Sequence, residues 1–207
     1  MDLAIIDNYE FGMPALRKTG FNEAFKNIKP RISWEFIRWE QIYTLNPSEI
    51  EQRYDKLILS GSNLNMSERR VYDSMKPLLR TLKKLDLPIL GICFGLHMIA
   101  RAFGFKIIKM RDPDAEWEKV INLPVDSEFP LFENDYICVL EKHHEQVEYS
   151  QRLEQIFRIF SSSADCRVQI VEHRSRPIIG VQFHPESLEK EVEKDGFHLI
   201  QEFVNHS

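Results

Sequence analysis

The sequence predicts an α/β fold in which a mostly parallel central sheet carries helices on both faces. Short runs of apolar, β-branched residues alternate with longer segments that have apolar residues at helical spacing, which is typical of such sheets. The 207 residues contain no evident repeat, low-complexity segment or linker. With 43% hydrophobic and 29% charged residues, the chain can build one ordinary globular core. We therefore expect residues 1–207 to form a single domain.

Strands in the first half are predicted where short apolar runs stand between turn or capping residues. A first helix is expected to open at Pro14, and a second at the cap-plus-proline pair Asn46-Pro47. A third carries one apolar stripe, and Pro77 within it predicts a kink or two shorter helices. Gly95–Phe103 follows as a fourth helix. The predicted strands are Leu3–Ile6, Ile32–Ile37, Lys56–Leu59 and Pro88–Ile92, and the stripe consists of Val71, Met75, Leu78, Leu79 and Leu82.

The second half is richer in strand patterns and ends in one amphipathic helix that carries Val192, Leu199, Ile200 and Phe203. Its predicted strands are Phe105–Lys109, Lys119–Leu123, Asp135–Glu141, Ile156–Phe160, Arg167–Glu172 and Pro177–Phe183.

Composition and charge exclude several classes of protein. The net charge of −5 argues against nucleic-acid binding. The N-terminus lacks the basic region of a signal peptide, and no apolar run approaches the roughly 20 residues that span a bilayer. The three cysteines form no close pairs, which indicates a reducing compartment. We expect a cytoplasmic protein with no membrane or nucleic-acid partner.

The stretch GICFG places Cys93 between two glycines, where a strand gives way to a helix. A nucleophile at such a turn is lifted out of the sheet, and small neighbours let the backbone make the turn. The start of a helix also favours negative charge, which suits a thiolate and an oxyanion. A buried packing cysteine is an equally good interpretation of this motif alone.

A matching base lies in the stretch QFHPE. Pro185 favours an extended backbone at His184, so His184 and Glu186 are expected on the same side of the chain. Glu186 can then orient the imidazole of His184 by binding one ring nitrogen, while the other ring nitrogen faces the Cys93 thiol. This is the arrangement of a nucleophile–base–orienter triad. Taken together, the two motifs favour nucleophilic catalysis by Cys93.

Metal and cofactor sites are not indicated. The chain has no P-loop or G-x-G-x-x-G fingerprint, so no nucleotide or other cofactor is expected. His97, Cys138 and Cys166 lack the spacing of metal ligands, and no metal is predicted. Cys138 is expected in the core and Cys166 in a loop.

GICFG and QFHPE, at this separation, resemble the class I (triad) glutamine amidotransferase family. The resemblance covers nearly the whole chain: IIDNYE at residues 5–10 is similar to the family's first strand, and LSGS at residues 59–62 to its LSGG loop. It implies a flavodoxin-like domain with a nucleophile elbow at the end of a central strand. The motif order and the HHEQV segment look most like a stand-alone GMP-synthase-type glutaminase domain.

The resemblance also implies roles for individual residues. Cys93 would attack the glutamine carboxamide and form a γ-glutamyl thioester, His184 would act as base and acid, and Glu186 would hold His184. The residues implied in binding the substrate or oxyanion are Ser60, Gly61, Ser62, Phe94, His97 and His143. His97 stands where the family has a glutamine that contacts the substrate, and His143 aligns with its pocket-lining histidine.

Three functions remain open at this point. The first is a glutaminase that delivers ammonia to a separate synthetase partner. The second is a hydrolase of other γ-glutamyl compounds, for which the exchange of the family's glutamine for His97 leaves room. The third is an inactive module that binds or regulates a partner, which the complete set of triad residues disfavours.

Overall fold

A computed structural model describes residues 1–26, 28, 32–42, 44–110, 118–132 and 134–206. Eleven strands are found in this part of the chain: β1 (Asp2–Asp7), β2 (Ser33–Arg38), β3 (Lys56–Leu59), β4 (Ile89–Ile92), β5 (Ile107–Lys109), β6 (Glu118–Pro124), β7 (Tyr136–Lys142), β8 (Glu145–Val147), β9 (Phe157–Ser161), β10 (Ile170–His173) and β11 (Ile178–Val181). The helices are α1 (Ala15–Phe25), α2 (Trp39–Ile42), α3 (Pro47–Arg53), α4 (Arg69–Leu82), α5 (Phe94–Ala102), α6 (Gln151–Ile156) and α7 (Glu193–Asn205).

The central sheet has seven strands in the order β2-β1-β3-β4-β11-β10-β9. The first five pair in parallel, whereas β10 and β9 extend the sheet in antiparallel pairing. The predicted mostly parallel sheet is therefore confirmed. Two small two-stranded sheets, β5-β8 and β6-β7, lie outside it and were not predicted as separate sheets.

Both faces of the sheet are buried, as the near-continuous apolar strands require. Alternate residues of β1 point to opposite cores: Ala4 and Ile6 join the cluster under α4 and α5, and Leu3 and Ile5 join the cluster under α1 and α7. This arrangement confirms the prediction of helices on both faces.

Several helix predictions are confirmed and one is wrong. Asn46 caps α3 with a capping box, and all five residues of the predicted stripe on α4 are buried. Helix α4 runs unbroken through Pro77, which rules out the predicted alternative of two shorter helices, whereas the other alternative, a kink, stays a prediction. The stripe explains this, because burying five apolar side chains on one face offsets the missing backbone hydrogen bond of a proline. Pro14 precedes α1 as its N-cap instead of opening it.

Candidate active site

Cys93 occupies a strained turn between β4 and α5. Its φ of 50° and ψ of −103° make it the one non-glycine residue with positive φ among the described residues. Such a conformation costs about 1–3 kcal/mol and is typical of functional sites. Gly95 permits the tight fit of the turn, because a Cβ there would lie 2.2 Å from the Leu59 carbonyl oxygen. The predicted elbow is therefore present.

The pairing of neighbouring strands brings His184 to the same end of the sheet. Strands β4 and β11 are parallel, with Ile92 beside Val181, and the Cys93 N–H donates to the Val181 carbonyl at 2.8 Å. Cys93 follows β4 directly, and His184 lies three residues beyond the end of β11. Both side chains line one cavity of about 340 Å³ at the carboxyl ends of the strands, where ligands of open α/β sheets bind.

His184 and Glu186 form a direct pair, with Nδ1 and Oε1 2.9 Å apart and both side chains buried. The chain is not extended here, in contrast to the prediction from Pro185: the Ser187 N–H donates to the His184 carbonyl at 3.2 Å, which closes a turn. Pro185 sits at the second position of this turn, which proline favours. The turn brings the carboxylate onto the ring, so the expected contact exists by a different backbone route.

Arg17 completes the charge arrangement. Its Nη1 lies 3.4 Å from Glu186 Oε1, and the residue also lines the cavity. Burial alone would raise the pKa of Glu186, but His184 and Arg17 hold it below its usual value. Burial lowers the pKa of His184, against the raising effect of Glu186. Burial also raises the pKa of Cys93 to about 12. At neutral pH Cys93 and His184 therefore rest as a thiol and a neutral imidazole.

The loop after β3 is tied to the loop after β1. The Asn8 side chain donates to the Ser60 carbonyl at 2.8 Å, the Asn8 N–H donates to Ser60 Oγ at 3.1 Å, and Ser62 Oγ donates to the Asn8 carbonyl at 2.8 Å. Ser62, which replaces the second glycine of the LSGG pattern, is not at positive φ and so fits without strain. These bonds hold residues 60–62 beside the cavity.

Gly61 is where this loop meets the base, and replacing it by alanine should impair catalysis. A Cβ on Gly61 would lie 2.8 Å from Cε1 of His184, so the ring must move. We expect Gly61→Ala to lower kcat by about 10–100-fold, because small misplacements of a reacting group are costly. Steady-state ammonia release measures this.

Gly104→Ala is the matched control. It strains a glycine at φ +88° with no atom within 4 Å of the new Cβ. It should lower the melting temperature and leave kcat unchanged. Equal kcat values for Gly61→Ala and the wild type would contradict the importance of this contact.

The segment after β7 forms a second wall of the cavity. Nδ1 of His143 lies 3.0 Å from the Glu145 carbonyl oxygen, and Nε2 lies 3.6 Å from Glu141 Oε1. Both Glu145 carboxylate oxygens accept from the Ser67 N–H, at 3.2 and 3.3 Å. His143 is thus buried in the cavity wall and is not on a solvated loop.

The remaining predicted residues are distributed as follows. Phe94 and His97 line the cavity, and Nε2 of His97 lies 3.0 Å from Oε1 of Gln182. Cys166 lies outside regular structure, as expected of a loop, but is completely buried. Cys138, predicted in the core, is half-buried on β7. The cavity is lined by Tyr9, Pro14, Arg17, Ser62, Asn63, Leu64, Asn65, Cys93, Phe94, His97, Lys142, His143, His144, Glu145 and His184.

Two residues beside the predicted triad were missed. Gln182 donates from Nε2 to Cys93 Sγ at 3.8 Å. It stands two residues before His184 in the quoted motif, which was the available signal. Arg17 follows the start of α1 by two residues, and nothing in its local sequence indicates that it reaches Glu186.

Two other kinds of site are not found. Over the described ranges, no cluster of three or more His, Cys, Asp or Glu side chains is placed to hold a metal ion. Helices long and apolar enough to cross a membrane are likewise absent from this part of the chain.

Comparison with known proteins gives consistent matches. A model of the family "Glutamine amidotransferase class-I" matches residues 26–205. A GMP synthase (glutamine-hydrolyzing) subunit from Thermoplasma acidophilum is 33% identical over 163 residues, which cover 74% of this chain and 78% of that protein.

Two solved structures share the fold. The crystal structure of a putative GMP synthase subunit protein from Thermoplasma acidophilum has a TM-score of 0.77 at 25% identity and covers 99% of this chain and 92% of that one. The structure of a glutamine amidotransferase from Thermotoga maritima has a TM-score of 0.72 at 17% identity and covers 99% of this chain and 96% of that one. This likeness shows the same fold.

Proposed function

Because the chain belongs to the class-I glutamine amidotransferase family, we propose that it hydrolyses the side-chain amide of glutamine to glutamate and ammonia, with residues 1–207 acting as one domain. The observation that carries this proposal is the strained turn at Cys93, whose side chain shares a cavity with His184, the buried partner of Glu186. The names of the related proteins support glutamine as the substrate.

In the proposed reaction, His184 takes the proton of Cys93 as the sulfur attacks the carboxamide carbon of glutamine. The N–H of Phe94 and an amide of the Ser60–Ser62 loop bind the oxyanion that forms. His184 then returns the proton to the departing nitrogen, so that ammonia leaves and a γ-glutamyl thioester remains. Water activated by His184 cleaves the thioester to glutamate and the free thiol. Glu186 keeps the Nδ1 proton of His184 in place throughout.

A neutral Cys93 thiol and a neutral His184 imidazole at rest fit this sequence of steps. The thiol does not ionise on its own near neutral pH, because burial and the Glu186 carboxylate both raise the pKa of Cys93. Proton transfer to His184 therefore accompanies attack on the bound substrate. His143 and the other cavity residues would contact the bound amino acid.

We also propose that a separate synthetase chain consumes the ammonia. The related protein from Thermoplasma acidophilum is named as one subunit of GMP synthase, which supports such a partner. Co-purification with a synthetase, together with glutamine-dependent amination by the pair, tests this assignment.

Labelling with a glutamine-like alkylating analogue tests the function directly. We expect the analogue to modify Cys93 stoichiometrically and to abolish ammonia release from glutamine, with Cys138 and Cys166 unlabelled in the same mass map. Faster cleavage of γ-glutamyl peptides than of glutamine would favour the alternative hydrolase. Absence of both labelling and turnover, in the presence of the partner as well, would favour the inactive module.

A further inference from the structure

His97 contacts Gln182, and this contact fixes the orientation of the Gln182 carboxamide. His97 lies one helical turn after Cys93 in α5 and is 3% exposed. Its Nε2 lies 3.0 Å from Gln182 Oε1. In this orientation the carboxamide oxygen faces the ring and can only accept, so Nε2 of His97 carries the proton and donates.

The other end of the Gln182 carboxamide faces the nucleophile. Its Nε2 donates to Cys93 Sγ at 3.8 Å, and Gln182 is completely buried. Because a thiolate is a much stronger acceptor than a thiol, such a donor favours the ionised form of the sulfur. In the thiol form, the S–H has the Lys142 carbonyl oxygen as an acceptor at 3.9 Å.

We propose that His97 is a positioning residue for the nucleophile: by binding the Gln182 oxygen, it keeps the Gln182 NH₂ group on the Cys93 sulfur and thereby stabilises the thiolate. This inference rests on the proposed function only in taking Cys93 as the nucleophile. It gives His97 a role that differs from the substrate contact implied by the sequence resemblance.

The charges around the sulfur make neutral donors important. Glu186 and Glu145 oppose the thiolate, and Arg17 favours it. Tyr9 and Cys166 are also near; burial raises the pKa of both groups, so they are neutral. Burial lowers the pKa of His97 to about 4, against the raising effects of Gln182 and of the Glu145 backbone. The ring is therefore neutral near pH 7 and carries a single N–H, placed on the nitrogen that faces Gln182. Besides Arg17, the Gln182 amide and the Phe94 N–H are thus neutral donors that offset the two carboxylates.

The test is the alkylation of Cys93 by iodoacetamide in the absence of glutamine, mapped by mass spectrometry from neutral to alkaline pH. The thiolate displaces iodide, so below the pKa of Cys93 the logarithm of the rate rises linearly with pH. His97→Leu fills the space but removes the donor. At every pH below the pKa of Cys93, this variant should therefore be alkylated about 10-fold more slowly than the wild type. That is the loss expected for a hydrogen bond to a charged acceptor that is longer than ideal.

Four further variants separate positioning from general damage. His97→Gln restores an N–H donor at a similar reach and should recover most of the rate. Gln182→Leu should slow alkylation as His97→Leu does, and the double variant should be no slower than Gln182→Leu alone. His173→Leu is the matched control: it removes a buried histidine that packs on Phe103 and Phe157, and it should leave the rate unchanged.

Equal alkylation rates for the wild type and a folded His97→Leu variant would overturn the inference. An additive double variant would also overturn it, as would a raised KM for glutamine with unchanged alkylation, which would assign His97 to substrate contact. Thermal melting confirms that each variant is folded. Iodoacetamide requires no glutamine site, so the alkylation result stands or falls separately from the proposed glutaminase activity.

Discussion

Replacing Cys93 by alanine is expected to lower glutamine hydrolysis by about 10⁴–10⁶-fold, the range found when a nucleophile is removed from a catalytic triad. Without the sulfur no thioester forms, and the remaining oxyanion donors and cavity supply only binding and orientation. Ammonia release under saturating glutamine measures the loss. Alanine removes the contacts of the sulfur with Gln182 and the Lys142 carbonyl but leaves the rest of the cavity lining in place, so glutamine binding should be retained.

Cys138→Ala and Cys166→Ala are the controls for this prediction. Cys166 is as buried as Cys93, and burial raises the pKa of both thiols to about 12. A raised pKa therefore does not distinguish the two cysteines, whereas the strained turn and the cavity do. Both control variants should keep full activity. Appreciable glutaminase activity of Cys93→Ala would contradict the assignment of the nucleophile.

The local motifs of the site were predictable because each depends on residues close in sequence. Gly91, Cys93 and Gly95 specify a tight strand-to-helix turn by their small size, and His184 contacts Glu186 two residues away. The register of β4 against β11 then places the two motifs at one end of the sheet. The alternation of apolar runs and amphipathic stripes similarly predicted the sheet, because burial on both faces leaves a strong periodic signal.

Features that depend on distant packing were not predictable. Arg17 reaches Glu186 across 169 positions, and only the packing of α1 against that end of the sheet brings them together. The three-residue strand β8 and the six-residue helix α6 are too short to carry a periodic pattern. Whether a helix continues through Pro77 is decided by the core beneath α4, which outweighs local propensity.

The two carboxylates of the site, Glu186 and Glu145, differ in their electrostatic surroundings. Glu186 is held as a carboxylate by Arg17 and bonded to Nδ1 of His184, so in the proposed reaction it would stabilise the imidazolium. Burial raises the pKa of Glu145, which faces the same cavity from the β8 side and accepts from the Ser67 N–H. Of these two carboxylates, Glu186 is the one paired with His184, and its removal should change the pH dependence.

Glu186→Gln is accordingly expected to lower kcat/KM by about 10³–10⁴-fold, as removal of the orienting carboxylate does in related triads. The amide can turn its NH₂ toward Nδ1 and so favour the wrong tautomer of His184. The sign of the pH effect follows from the charges. Glu186 raises the pKa of His184, so the variant lowers it further below its usual value. The base then stays neutral to lower pH, and the acid limb of the pH profile should move to lower pH.

Glu172→Gln provides a comparison at a carboxylate on β10 that lies outside the cavity. It should change neither the plateau nor the acid limb, although burial raises the pKa of Glu172. The pH profile separates orientation from structural damage, because unfolding lowers the plateau without moving the limb. An acid limb that stayed in place, or moved to higher pH, would show that Glu186 does not act on His184. Such a result would leave the 2.9 Å contact between them without a catalytic role.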